Sequence, residues 1–315
     1  MYDRFGREIY YLRISVTDLC NLRCIYCMPE EGVKKRRHED ILTIEEIEEI
    51  VQASASCGIT KVRVTGGEPL VRKGIIDICQ RVASIAGIRE LCLTTNGILL
   101  PGFADKLKAA GVNRLNISLD SVDPDSYAKI TRNGSLEGAL AGLKAALDAG
   151  FKDVKINAVL IGGLNDGEIP DLLELTRRYR ANVRFIELMP IGECAGWAQS
   201  RFVSASMVLE IAPELAEAGS DGVAKLYRLP GGLGTVGLIS PISSHFCPSC
   251  NRIRISSDGK LKPCLHSAEE INLRGLHGEE LESAIRSSIF EKPQKHGLDS
   301  GGISGSARNM NEIGG

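Results

Sequence analysis

Short β-branched runs alternate with helical patterns through the first two-thirds of this chain, and that alternation leaves few possible folds. The runs are Tyr11–Val16, Lys61–Thr65, Glu90–Thr94, Arg114–Leu119, Val154–Ile161 and Val183–Leu188. Between them apolar residues recur at helical spacing. Ile47, Ile50, Val51 and Ala55 follow a capping box at Thr43–Glu46, and similar stripes pass through Ile75, Cys79, Val82 and Ala86 and through Leu136, Leu140, Leu143 and Leu147. A further stripe holds Ile169, Leu172, Leu173, Thr176 and Tyr179. Such repetition demands parallel strands joined by right-handed crossovers. The units fall short of the eight in a closed barrel. The expected fold class is therefore α/β, an incomplete (βα)6 TIM-like barrel, with its chemistry at the C-terminal strand ends.

After about residue 190 Gly, Pro and Ser increase and the helical stripes stop. Lys225–Leu229 and Val236–Ser240 read as a hairpin, as do Arg252–Ser256 and Lys260–Pro263 around Asp258-Gly259. A last helix is expected near Glu279–Ile289, and the Gly/Ser-rich chain from about Lys295 reads as mobile. The expected organisation is thus a partial barrel over 1–190 and a C-terminal β-rich region over 191–315.

The cysteines carry the chemistry. Cys20, Cys24 and Cys27 stand in CNLRCIYC, a C-x3-C-x2-C spacing. Three thiolates are one short of the four that usually hold a [4Fe–4S] cluster, which leaves one iron open to another ligand. A zinc site usually closes with four ligands, and His38 is the nearest candidate to complete one. Three buried core cysteines are the remaining alternative, but neighbours Asp18, Asn21 and Arg23 are polar. Cys247, Cys250 and Cys264 make a second triplet, with His245 or His266 as the extra ligand if it binds zinc. Taken alone that triplet leaves zinc and iron–sulfur open; beside the first, a second cluster is favoured. Cys57, Cys79 and Cys92 lie in apolar patterns and read as core.

Arg252 and Arg254 follow the second cysteine pair directly. Residues i and i+2 of a strand face the same side, and paired guanidiniums suit an anionic ligand. Arg13 and Arg63 fall near the ends of the first two strands and are expected at the barrel mouth, with Lys155 opening the fifth. The formal net charge of −2 gives no signal for nucleic acid or membrane. The run Lys34–His38 reads as a solvated loop. With no apolar leader or spanning stretch in view, a soluble cytoplasmic protein is expected.

The first cysteine loop resembles the signature of radical S-adenosylmethionine (SAM) enzymes. Over nearly its whole length the chain resembles one family within them, the GTP 3′,8-cyclases of molybdenum cofactor biosynthesis. The segments that carry the likeness are LRISVTDLCNLRCIYCMP, VRVTGGEPLVR, LTTNG, NISLD, RFIELMP, FCPSCNRIRISSDGKLKPCL and the terminal Gly314-Gly315. The C-terminal triplet with its R-x-R and the double glycine make the resemblance specific.

The resemblance implies roles position by position. Cys20, Cys24 and Cys27 would hold the SAM cluster, with Tyr26, Gly67, Ser118 and Met189 lining the SAM pocket. Gly66-Gly67-Glu68-Pro69 would offer backbone groups to the amino end of SAM. Cys247, Cys250 and Cys264 would hold a second [4Fe–4S] cluster whose open iron meets guanine. Arg13, Arg63, Thr94, Lys155, Arg252 and Arg254 would hold GTP, with Ile253 contributing its backbone, and the Gly-Gly tail would enter the site. No side chain is required as an acid or base. The implied reaction is radical cyclisation of GTP to (8S)-3′,8-cyclo-7,8-dihydroguanosine 5′-triphosphate. It implies a reductive electron donor and a downstream cyclic pyranopterin monophosphate synthase, and is compatible with a homodimer. Two rivals stand against it. A radical SAM enzyme acting on a peptide usually carries more C-terminal cysteines. An electron-transfer or zinc module leaves GGEP without a purpose. A GTP-regulated switch is disfavoured because no G-x4-G-K-[ST] loop is present.

Overall fold

The computed structural model describes residues 1–296, 298 and 304–314. Its barrel strands are β1 (Tyr11–Ser15), β2 (Lys61–Thr65), β3 (Glu90–Thr95), β4 (Arg114–Ser118), β5 (Val154–Leu160) and β6 (Ala181–Glu187). They pair in that order, each parallel to the next. Helices α1 (Ile44–Ser56), α2 (Ile75–Ser84), α3 (Ala104–Ala109), α4 (Pro124–Thr131), α5 (Leu136–Asp148) and α6 (Ile169–Arg178) make the crossovers. The Thr43 capping box is present, so the first helix starts where its sequence says.

The C-terminal part extends this same sheet at both ends. After α7 (Met207–Ile211) come β7 (Ala216–Asp221), β8 (Ala224–Arg228) and β9 (Val236–Ile239); β9 runs parallel to β6, with β8 and β7 antiparallel beyond it. On the other side β10 (Arg252–Ile255) runs parallel to β1, followed by antiparallel β11 (Lys260–Lys262) and β12 (Ile271–Asn272). The result is one 12-stranded sheet ordered β12-β11-β10-β1-β2-β3-β4-β5-β6-β9-β8-β7, an open barrel. α8 (Gly278–Phe290) packs beside α1, and α9 (Met310–Ile313) returns to the sheet. Among the described residues no helix is long and apolar enough to cross a membrane.

Strand parity sorts the side chains. Leu12, Ile14, Val62, Val64, Leu91, Leu93, Leu115, Ile117, Ile253 and Ile255 are all at most 1% exposed and belong to the core under the helices. Each such side chain contributes about 1.5–3 kcal/mol by leaving water. The alternate positions hold Tyr11, Arg13, Lys61, Arg63, Thr94, Asn116 and Lys155, and these line an inner cavity. Parallel strands covered on both faces usually read as continuous apolar runs. Here the inner face is polar because it lines a cavity.

Two expectations change. Arg13 and Arg63 sit in the middle of β1 and β2, below the mouth and paired in register. The described part of the tail is folded: Asn309 and Glu312 form a capping box on α9, and Asn311 and Ile313 are buried. Gly315, half of the expected double-glycine motif, lies outside the described residues, as does part of the stretch read as mobile.

Candidate active site

One cavity of about 400 Å³ takes in both cysteine triplets. The first lies on the loop after β1. Arg23 ties that loop down by donating Nη1 to the Cys20 and Leu22 carbonyls (2.6 and 2.8 Å). Arg132 donates to the carbonyls of Arg23 and Met28 (3.2 and 3.1 Å). Burial pushes the Cys20 thiol up to about 11 and raises Cys24 and Cys27 further. Thiols in such surroundings hold protons unless a cation takes their place, which suits a metal-ligand set. Among the described residues no three His, Cys, Asp or Glu side chains are placed to hold a single metal ion. A cluster takes each thiolate on a different iron.

The second triplet occupies the turn before β10 and the residue after Pro263. Arg7 donates to the carbonyls of Cys247, Pro293 and Gln294 (2.9, 2.7 and 2.9 Å), fixing the turn to the chain beyond α8. Buried Lys292 donates Nζ to the Pro263 carbonyl (2.5 Å). Burial would raise the Cys250 thiol, but Lys292, Arg252 and Arg7 together carry it below its usual value.

Between the triplets the β10–β1–β2 register sets Arg254, Arg13 and Arg63 in a row. Burial first, then the facing guanidiniums, pull Arg13 well down and Arg254 to about 10. Arg252 keeps a buried Nε without a hydrogen-bond partner. Burial would lower Arg63, but Tyr11, to which its Nε donates, carries it above its usual value, and its Nη1 reaches Thr94 (3.2 Å). Crowded cations in a partly dry cavity favour an anionic ligand.

The glycines of GGEP line this cavity and are also needed for close backbone packing. A β-carbon on Gly67 would lie 2.4 Å from the Leu19 carbonyl oxygen and 2.7 Å from that of Asp18; one on Gly66 would lie 2.6 Å from the Thr17 oxygen. Gly67 N–H donates to Thr17 O and Glu68 N–H to Leu19 O (2.7 and 2.8 Å). The glycines thus let GGEP pack directly on the segment entering the first cysteine loop. Glu68, fully buried, accepts from Leu70 N–H (3.0 Å), the Thr95 hydroxyl (2.8 Å) and Asn96 N–H (2.7 Å).

Tyr26, Ser118 and Met189 line the same cavity, as do Thr94, Lys155, Arg252 and Arg254. Ile253 does not: its side chain is fully buried in the core. Sequence reasoning missed Lys61 and Arg184, which line the cavity. The i, i+2 rule applied to Arg63 points to Lys61; nothing in the sequence singles out Arg184. Asp120 was also missed. It accepts from the Tyr26 hydroxyl (2.6 Å) and from Val159 N–H (2.8 Å), and burial raises its carboxyl to about 6.

Comparison with known proteins agrees with this geometry. A family model described as the Radical SAM superfamily matches residues 14–176, and one described as Molybdenum Cofactor Synthesis C matches 181–298. Among solved structures, Streptococcus suis SuiB bound to precursor peptide SuiA superposes with a TM-score of 0.61 at 17% identity, covering 90% of this chain and 67% of that one, a likeness of fold. The fold and the site thus define a radical SAM protein. Full-length relatives narrow the class. GTP 3′,8-cyclase of Alkaliphilus metalliredigens is 53% identical and that of Alkaliphilus oremlandii 51%, each over 100% of both chains. The Clostridium botulinum enzyme of that name is 42% identical over the same extent. The chain belongs to the GTP 3′,8-cyclase family.

Proposed function

We propose that this chain converts GTP to (8S)-3′,8-cyclo-7,8-dihydroguanosine 5′-triphosphate, an early step of molybdenum cofactor biosynthesis. The observation that carries the reading is the single cavity lined by two cysteine triplets and a row of arginines. The cofactors are SAM and two [4Fe–4S] clusters. Cys20, Cys24 and Cys27 hold the cluster that binds SAM, with Tyr26, Gly67, Ser118 and Met189 around SAM itself. Cys247, Cys250 and Cys264 hold the second.

When bound and reduced, these groups supply a radical able to take one hydrogen atom. The chain's own residues place the substrate. Arg13, Arg63, Lys155, Arg252 and Arg254 hold the triphosphate end, with Thr94 and the Ile253 backbone beside them. Cys247, Cys250 and Cys264 would hold their cluster at the guanine end. Fixing both ends of GTP keeps C3′ in one place, so orientation carries much of the catalysis. Asp120 pins the Tyr26 hydroxyl, and the apolar strand faces behind the cavity keep it rigid. In the substrate, C3′ loses a hydrogen atom, the C3′–C8 bond closes, and guanine takes up one electron and one proton. The product is an isomer of GTP. Electrons come from an external one-electron donor, and a cyclic pyranopterin monophosphate synthase consumes the product.

The test is anaerobic incubation of the iron-reconstituted chain with SAM, GTP and dithionite, read by mass spectrometry. 5′-Deoxyadenosine together with a GTP isomer is expected. 5′-Deoxyadenosine with unaltered GTP would remove GTP as substrate.

A further inference from the structure

The basic run at 34–38 does not form one solvated patch. Arg36 turns inward and contacts Asp18 through Nε (2.9 Å), Asp258 through Nη1 (3.2 Å) and Glu312 through Nη2 (2.8 Å). Arg308 joins the same group. It reaches Asp258 with Nη1 and Nη2 (both 3.0 Å) and Glu270 with Nε and Nη2 (2.6 and 2.7 Å). Lys262, 1% exposed, also donates to Glu270 (3.1 Å).

The members come from separate parts of the chain. Asp18 lies two residues before Cys20. Asp258 sits in the turn between β10, which carries Arg252 and Arg254, and β11, which precedes Cys264. Glu270 precedes β12, and Arg308 and Glu312 belong to the α9 segment. Isolated exposed ion pairs contribute little, but paired, two-pronged guanidinium contacts at partly buried carboxylates are stronger.

What the network holds is the end of the chain. Asn311, 1% exposed, donates its side-chain amide to Asp18 O (3.0 Å). Arg254 Nη1 donates to Gly314 O (2.6 Å). A β-carbon on Gly314 would stand 2.1 Å from Thr65 Oγ1, and its φ is +78°. Met310 lines the cavity. A helix as short as Met310–Ile313 does not hold itself in water. Its capping carboxylate Glu312 serves twice, accepting from Asn309 N–H through Oε2 (3.1 Å) and from Arg36 through Oε1.

We propose that Arg36 and Arg308 are positioning residues that latch α9 over the cavity, so that seating of Gly314 on Arg254, and hence the direction of that guanidinium, depends on them. The inference rests on the functional reading above only where it concerns GTP. Removing the latch frees the tail and lets Arg254 swing, which weakens nucleotide binding while both cysteine triplets keep their surroundings.

The test compares reconstituted holoenzymes, wild type against Arg308→Met and Arg308→Lys, by amide hydrogen exchange of the 304–314 segment and by steady-state kinetics. Arg308→Met should lower protection at Asn311–Gly314 about tenfold or more. KM for GTP should rise by a similar factor, while the electron paramagnetic resonance signals of both clusters and SAM binding stay as in wild type. Arg308→Lys should recover part of both losses. Should Arg308→Met fail to assemble, Arg36→Met, which leaves the Glu312–Asn309 cap in place, should show the same loss of protection. Unchanged exchange in the variant that assembles overturns the latch. The exchange readout does not depend on the substrate: wild type that cleaves SAM but leaves GTP intact would defeat the functional reading alone.

Discussion

Glu68 shows how much the site depends on single buried groups. Burial lifts its carboxyl to about 7, against the three donors that favour its charge. Because the folded chain holds this proton more tightly than the unfolded one, the group's contribution to stability is complete below about pH 4.5 and is lost as pH rises through about 7. The span corresponds to about 3 kcal/mol. Glu68→Gln should remove that component, so the melting temperatures of wild type and variant, followed from pH 4.5 to 8, should converge or cross as pH rises; parallel curves would refute it. Arg13 makes a second case. It stands between Arg63 and Arg254 in register, so an anion there relieves like-charge crowding. Arg13→Ala should weaken GTP binding at least about tenfold, or about 1.4 kcal/mol. Iron content should not change, and loss of either cluster would end its assignment as a nucleotide contact.

At the scale of elements, the legible parts were those whose own residues specify them. β1 to β6 carry β-branched runs and α1 a capping box, and both triplets announce themselves by spacing. β7 could not be read: Ala216-Glu217-Ala218-Gly219-Ser220-Asp221 has no β-branched residue, is largely exposed, and is a strand only because β8 pairs with it. α9 escaped for a related reason, since its order comes from partners far away in sequence. The depth of Arg13 and Arg63 was legible after all: the runs Tyr11–Val16 and Lys61–Thr65 nearly match β1 and β2, and each arginine stands third in its run, mid-strand rather than at the mouth. The β7–β8 turn makes a further prediction. Asp221 pairs with Lys155, and lies 3.6 Å from Arg184, so a carboxylate already engages two cavity cations. Asp221→Asn should lower the Kd for GTP about threefold or more by removing that competition; weaker binding would mean that Asp221 serves to hold those cations in place.

On the scale of the whole molecule, the chain closes a circuit. β10 and β9 extend the barrel sheet at its two edges, and the C-terminal segment returns to the loop before Cys20. Hence the second triplet and the arginine row share one cavity with the first triplet. Cys264→Ala should reduce iron from about eight to about four per chain. SAM cleavage should continue, without cyclised nucleotide; full product formation would show that the second triplet has another task. If SAM and GTP meet in this cavity with C3′ facing the radical source, GTP deuterated at C3′ should give 5′-deoxyadenosine carrying one deuterium and a cyclised product lacking it. Cyclised product with unlabelled 5′-deoxyadenosine would show that the hydrogen taken is not the one on C3′, and the proposed placement of GTP would fall.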